Sequence, residues 1–125
     1  MNLTYTEENY LKAIYSLSKQ GKEDVSTNAI ADKLKTKASS VTDMIKKLAD
    51  KKLLNYEKYK GVMLSTSGKK IAINTIRKHR LWEVFLVEKL NFGWDEVHEI
   101  AEQLEHINSQ KLVDHLDEYL GFPKY

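Results

Sequence analysis

The sequence predicts a mainly α-helical protein in two parts. Residues 1–66 read as an N-terminal winged helix-turn-helix with a small β-wing, and residues 67–125 as a helical lobe. Three observations predict this. Three amphipathic helical stripes, the last two joined by a tight link, come first. Two short apolar runs with a basic turn between them follow, and then only helical stripes. The charge also changes sign along the chain: residues 1–80 hold 17 Lys+Arg against 8 Asp+Glu, a net +9, whereas residues 81–125 hold 3 against 10, a net −7. A basic front half suits a polyanion and an acidic rear half suits a cation.

The elements follow in order. Residues 1–5 read as a short arm. Thr6, with Glu7 and Glu8 behind it, predicts a helix start, because acids in the first turn favour the positive end of the helix dipole. Tyr10, Leu11, Ile14, Tyr15 and Leu17 give this helix its apolar stripe, and it ends near Gly21. Val25 stands alone and can pair as a very short strand. Ser26 or Thr27 can cap a second helix with Ala29, Ile30 and Leu34 inward. Thr36-Lys37-Ala38 is a tight link. Ser39 is the expected cap of a third helix, in which Val41, Met44, Ile45 and Leu48 recur at i, i+3, i+4, i+7. Leu54 to Lys58 predicts a strand, Tyr59-Lys60-Gly61 a turn and Val62 to Leu64 a returning strand. Together these are the parts of a winged helix.

The polar side of the third helix carries Ser39, Ser40, Thr42, Asp43, Lys46 and Lys47. Hydroxyls and an acid near the N-terminal end of a recognition helix can meet base edges and phosphates. The lysines neutralise backbone charge. Thr27 and Asn28 sit where a phosphate would meet the N-terminus of the second helix. Lys37 in the link, and Lys58 and Lys60 in the basic wing, complete the set of candidate DNA contacts.

From Ser67 a long helix is expected to reach about Leu90. Its first half is basic. Its second half, Leu81 to Val87, is apolar nearly all round, which implies burial on more than one side; a chain this small has little to cover it with, so a second subunit is inferred. Asn91-Phe92-Gly93 closes the helix, Asp95 is the expected cap of the next, and Ser109 caps a last helix with Leu112, Val113, Leu116 and Leu120 inward. His115 reads as surface.

The next-to-last helix carries the chemistry. At about 100° per residue, Val97, Ile100, Ala101 and Leu104 share one face, and His98, Glu102, Glu105 and His106 a neighbouring arc. His79 and Glu83, four apart, form a second His/Glu pair on one side of the long helix. Imidazole with carboxylate is a mixed N/O ligand set suited to Mn, Fe(II), Co, Ni or Zn. A His/Glu-rich helix face is most often plain solvated surface, so the rest of the chain has to decide.

Composition narrows the classes. The 125 residues suit one domain or one two-lobed unit, and 42% hydrophobic content is enough for a core. With no cysteine there is no disulfide, thiolate site or cysteine nucleophile. No apolar run approaches a membrane span and no signal-peptide pattern opens the chain, so a cytoplasmic protein without membrane association is expected. The zinc-protease motif fails because Glu102 stands where its second His is needed. The Glu-x-x-His repeat of di-iron bundles is off by one, and no phosphate-binding glycine loop or nucleophile elbow occurs. Beside a DNA-binding front half, metal as a signal is more economical than metal as a catalyst, so no enzyme is expected. Two alternatives stand beside this: a winged-helix regulator responding to a small organic ligand, and a metal-dependent enzyme on a helical bundle.

Longer stretches then point to a family. Glu8-Asn9-Tyr10-Leu11-Lys12-Ala13-Ile14-Tyr15, Ser39-Ser40-Val41-Thr42 with Met44-Ile45-Lys46-Lys47-Leu48, Arg77-Lys78-His79-Arg80-Leu81, Leu104-Glu105-His106 and the ending Leu120-Gly121-Phe122-Pro123 resemble the metal-dependent transcriptional repressors of the diphtheria toxin repressor type, including the manganese transport regulators. The resemblance covers nearly the whole chain. It implies a homodimer of winged-helix domains joined through a helical dimerisation and metal-binding lobe, acting on near-palindromic double-stranded operator DNA. It implies one metal site at Glu102, Glu105, His106 and Asn9, and another at His79, Glu83 and His98. Iron-type members carry cysteine at the position of Glu102 and manganese-type members a carboxylate, so the resemblance favours Mn(II) over Fe(II). Asn9 stands where the family has an acid or a methionine and brings no charge. Lys12 stands where some manganese regulators have a second acid, so two separated sites are expected rather than a close metal pair. Many members continue past Pro123 into an SH3-like domain.

Overall fold

The computed structural model describes residues 3–57 and 60–123. Its elements are α1 (Tyr5–Leu17), α2 (Thr27–Leu34), α3 (Ala38–Asp50), β1 (Leu54–Glu57), β2 (Gly61–Leu64), α4 (Thr66–Leu90), α5 (Val97–Leu104) and α6 (Gln110–Tyr119). The chain divides into two compact units within α4, the first ending at Ile73 and the second starting at Asn74.

In the first unit the helical stripes close on one core. Leu11 and Ile14 of α1, Ile30 of α2, and Val41, Ile45 and Leu48 of α3 are buried together with Leu53, Leu54, Val62, Leu64 and Ala72. Burying each such side chain is worth about 1.5–3 kcal/mol. β1 and β2 pair antiparallel with Leu54 opposite Leu64 and Glu57 opposite Gly61. Val25 joins as an isolated bridge to Val62, as its lone apolar character suggested. Gly61 has φ +103°, and a Cβ there would stand 2.6 Å from the Val25 carbonyl oxygen. Glycine is therefore required where β2 begins beside the Val25 bridge.

Three helix caps differ from expectation. Thr4, not Thr6, caps α1: its hydroxyl accepts from the Glu7 amide while the Glu7 carboxylate accepts from the Thr4 amide, a reciprocal capping box. Tyr5 is consequently helical rather than part of an arm. α3 starts one residue ahead of Ser39, with Lys37 in the cap position and no side-chain cap bond. α5 has Glu96, not Asp95, before its first turn, again with no side-chain bond. Ser26 and Ser109 cap α2 and α6 by accepting from Ala29 and Leu112 amides.

Glu7 does more than cap. Its side chain is fully buried, with Lys51 Nζ at 2.6 Å and Lys47 Nζ at 4.0 Å from Oε2. Burial pushes its carboxyl up, but the hydrogen bonds from Lys51 and Thr4 and the Lys51 charge together hold it below the ordinary carboxylate value. This ion pair ties α1 to the chain just past α3.

In the second unit Leu81 packs with Val113 and Leu116, and Trp82, Phe85 and Leu120 close around them. Trp82 meets Phe85 edge to face at 5.7 Å between centroids. Much of the apolar surface of α4 is thus covered by α6 of the same chain, so only part of it is left for a second subunit. Leu112, expected inward, is exposed, as are Leu90, Trp94, Tyr119 and Phe122. His115 is exposed, as expected. Among the described residues, no helix is long and apolar enough to cross a membrane.

Candidate metal centre and nucleic-acid interface

The second unit gathers the ligand-type side chains. His79 and Glu83 lie one turn apart on α4, and His79 Nε2 stands 3.3 Å from Glu83 Oε2. His98, in the first turn of α5, places Nδ1 3.9 Å from the same carboxylate oxygen. Its ring meets that of His79 edge to face, centroids 4.9 Å apart. One ligand atom from each of His79, Glu83 and His98 lies within 4.8 Å of the others. A cation with bonds of about 2.0–2.2 Å spaces its ligands roughly 3–4 Å apart, so these three groups fit a divalent ion with small side-chain adjustments. Two imidazoles and a carboxylate match the N/O preference of first-row divalent metals. His79 and Glu83 are largely buried whereas the His98 side chain is 65% exposed, so the set opens to solvent on one side. Arg80 Nη1 donates to Glu83 Oε1 at 3.3 Å and orients that carboxylate.

α5 ends just inside the arc read from His98 to His106. The helix stops at Leu104, and Glu105 is its C-cap. The chain turns there because the Ile107 amide bonds back to the Leu104 carbonyl and Ser109 already opens α6. Glu105 keeps helical backbone angles and its amide bonds the Ala101 carbonyl, so it stays on the arc, at the edge next to Ala101, and is fully buried. Its Oε1 lies 2.7 Å from His79 Nδ1, and its Oε2 lies 3.8 Å from His106 Nε2. Glu102 remains half-exposed on α5, with Oε1 3.9 Å from His98 Nε2.

The six residues of this unit thus form one continuous series: Glu102, His98, Glu83, His79, Glu105, His106. Spacing alone split them into two clusters; the close approach of His79 to Glu105 joins them. Asn9 lies half-buried on α1, in the other unit. Sequence reasoning missed two supports of this region. Lys78 is buried and donates to Asn108 Oδ1 at 2.8 Å, which pins the turn after Glu105 onto α4. Arg77 binds Asp117 at 2.6 Å and holds α6. Neither pair has a local periodicity that could have shown it.

The first unit carries the candidate DNA contacts. Ser39, Ser40, Thr42, Asp43, Lys46 and Lys47 are all exposed on α3. The Thr42 hydroxyl donates to the Ala38 carbonyl, so its oxygen is left as an acceptor. Lys37 precedes α3 and is exposed; Thr27 and Asn28 open α2. Lys60 is exposed at the wing, where it pairs with Glu57 at 3.2 Å. Lys58 lies outside the described residues.

Comparison with known proteins agrees with both halves. Residues 2–62 match the N-terminal DNA binding domain of the iron dependent repressors. Residues 65–125 match the iron dependent repressor metal binding and dimerisation domain. The HTH-type transcriptional regulator MntR of Oceanobacillus iheyensis is 34% identical over 97% of this chain and 81% of its own length. The iron-dependent repressor IdeR of Mycobacterium leprae is 32% identical over 98% of this chain, which spans only 53% of it. The solved structure of the manganese regulator SloR is 43% identical with a TM-score of 0.82, covering 98% of this chain and 56% of its own. This chain therefore spans about half the length of IdeR and SloR. With both family models matched in order along almost all of its length, the chain belongs to the iron-dependent repressor family.

Proposed function

We propose that this chain is a divalent-metal-dependent, DNA-binding transcriptional repressor that controls metal homeostasis, works as a homodimer in the cytoplasm and uses Mn(II) in preference to Fe(II). The observation that carries it is the convergence of His79, Glu83 and His98 from two helices, in a chain whose other unit is a winged helix. The name of MntR supports a transcriptional regulator, and those of IdeR and SloR a metal-regulated role, iron for IdeR and manganese for SloR. Glu102 in place of a thiolate, in a chain with no cysteine, supports Mn(II), which prefers oxygen ligands.

In this reading His79, Glu83 and His98 hold one cation, and Glu102, Glu105 and His106 hold another. When bound, the cation supplies positive charge that offsets the clustered carboxylates. On α3, Ser39, Ser40, Thr42 and Asp43 address base edges and phosphates, while Lys37, Lys46, Lys47, Lys58 and Lys60 neutralise the backbone, with Thr27 and Asn28 at the α2 N-terminus. Two copies present two such helices to the half-sites of a near-palindrome. Leu90, Trp94, Leu112, Tyr119 and Phe122, all exposed on the second unit, supply apolar surface for the second copy. Metal control requires the DNA-competent state to have the higher metal affinity. A coupling of about 1–3 kcal/mol gives roughly 5- to 150-fold in DNA affinity.

The test uses a near-palindromic duplex selected from a random library with Mn(II)-loaded protein. Binding is measured after chelation and after adding back Mn(II), Fe(II) or Zn(II) singly. Loss on chelation and best recovery with Mn(II) are expected. Equal binding by stripped and loaded protein would refute metal dependence, and better recovery with Fe(II) would refute the preference.

A further inference from the structure

We propose that Glu105 is a positioning residue for the His79–Glu83–His98 site: it holds the His79 ring with Nδ1–H toward itself, so that Nε2 faces Glu83 and His98. This rests on the reading above that those three residues hold a divalent cation. With Glu105 ionised the carboxylate only accepts, and the 2.7 Å approach of its Oε1 to His79 Nδ1 then places the proton on Nδ1. When the ring is a neutral ligand, its lone pair is then on Nε2, the atom 3.3 Å from Glu83 Oε2. Fixing tautomer and ring direction in this way is what outer carboxylates do for metal-bound histidines.

The surroundings support a fixed Glu105. It is fully buried, and its amide donates to the Ala101 carbonyl at 2.8 Å. The turn that follows is pinned to α4 by Lys78 and Asn108, beside His79 itself. The remaining oxygen, Oε2, lies on the His106 side at 3.8 Å. One carboxylate therefore spans both ligand groups with one oxygen toward each. Oε2 faces the His106 side while Oε1 holds His79. This assigns Glu105 a role in both groups.

The experiment isolates one site. The full-length chain with His106→Ala has the second group disabled, and its affinity for Mn(II) is measured by competition with a chelating indicator. Adding Glu105→Ala is expected to weaken Mn(II) binding about 10- to 100-fold, and Glu105→Gln, whose amide oxygen can still accept from Nδ1–H, to recover most of it. Unchanged affinity in the Glu105→Ala, His106→Ala protein would overturn the proposal. Long-range ¹H–¹⁵N spectra of the Zn(II)-loaded His106→Ala protein add a readout independent of folding of the alanine variant: His79 is expected as the Nδ1–H tautomer, and an Nε2–H pattern overturns the proposal. His98→Ala with His106→Ala separates the two layers. If that protein still binds Mn(II) with undiminished affinity, the His79–Glu83–His98 site itself is wrong, and the role of Glu105 falls with it.

Discussion

Lys46→Ala gives the most direct measure of the DNA-binding face. Lys46 is exposed on α3, and in a dimer the substitution removes two phosphate contacts. Each contact contributes about 0.9 to the slope of log affinity against log salt, so the slope should fall by about 1.8; between 50 and 200 mM salt the advantage of the unmodified protein then shrinks about 12-fold. Lys47 should contribute less, because its Nζ already stands 4.0 Å from the buried Glu7 carboxylate. Fluorescence anisotropy on a labelled duplex, with Mn(II) held constant across a salt series, reads both slopes. The loss for Lys46→Ala should be uniform across operator sequences. An unchanged slope, or a loss confined to one base position, would refute its assignment as a phosphate contact.

Three other predictions follow from particular residues. Glu7→Gln should cost about 1.5–3 kcal/mol at pH 7, the range for a hydrogen bond to a charged group. Because the Glu7 carboxyl is held below its ordinary value of 4.5, this contribution is present above that pH and is lost as pH falls through the lower folded-state value; urea melts followed by circular dichroism should show the gap between variant and parent closing in acid, and a gap constant with pH would contradict the ion pair. Gly68→Ala should lower stability by about 1–3 kcal/mol, since a Cβ there collides with the Leu53 carbonyl oxygen at the start of α4; an unchanged melting temperature would show that the helix shifts freely. His98→Ala should remove one bound Mn(II) counted by electron paramagnetic resonance of the free ion, while His115→Ala, on the exposed face of α6, should change nothing; equal effects would dismiss the assigned site.

Element types were legible because each depends on a repeat within one segment. The Val41–Leu48 stripe, the paired strands around the wing turn and the lone Val25 were all readable locally. Helix starts were less so. Thr4 rather than Thr6 caps α1 through the Thr4-Tyr5-Thr6-Glu7 capping box, a local signal that the two acids behind Thr6 obscured; what was not local is Lys51, 44 positions away, on the other oxygen of Glu7. Likewise the apolar run Leu81–Val87 announced burial but not by what; α6 supplies much of the cover.

The candidate metal centre divides the same way. Sequence by itself determined which residues carry ligand chemistry, since His79 with Glu83 and His98 with Glu102 are each one helical turn apart. Only tertiary structure decided how they combine. It ended α5 at Leu104, buried the edge of the arc that carries Glu105, and set that residue against His79, 26 positions earlier in the chain. A helical repeat reports neighbours three or four residues away, whereas the meeting of two helices depends on where the turns between them end, and those turns are set by long-range pairs such as Lys78 with Asn108.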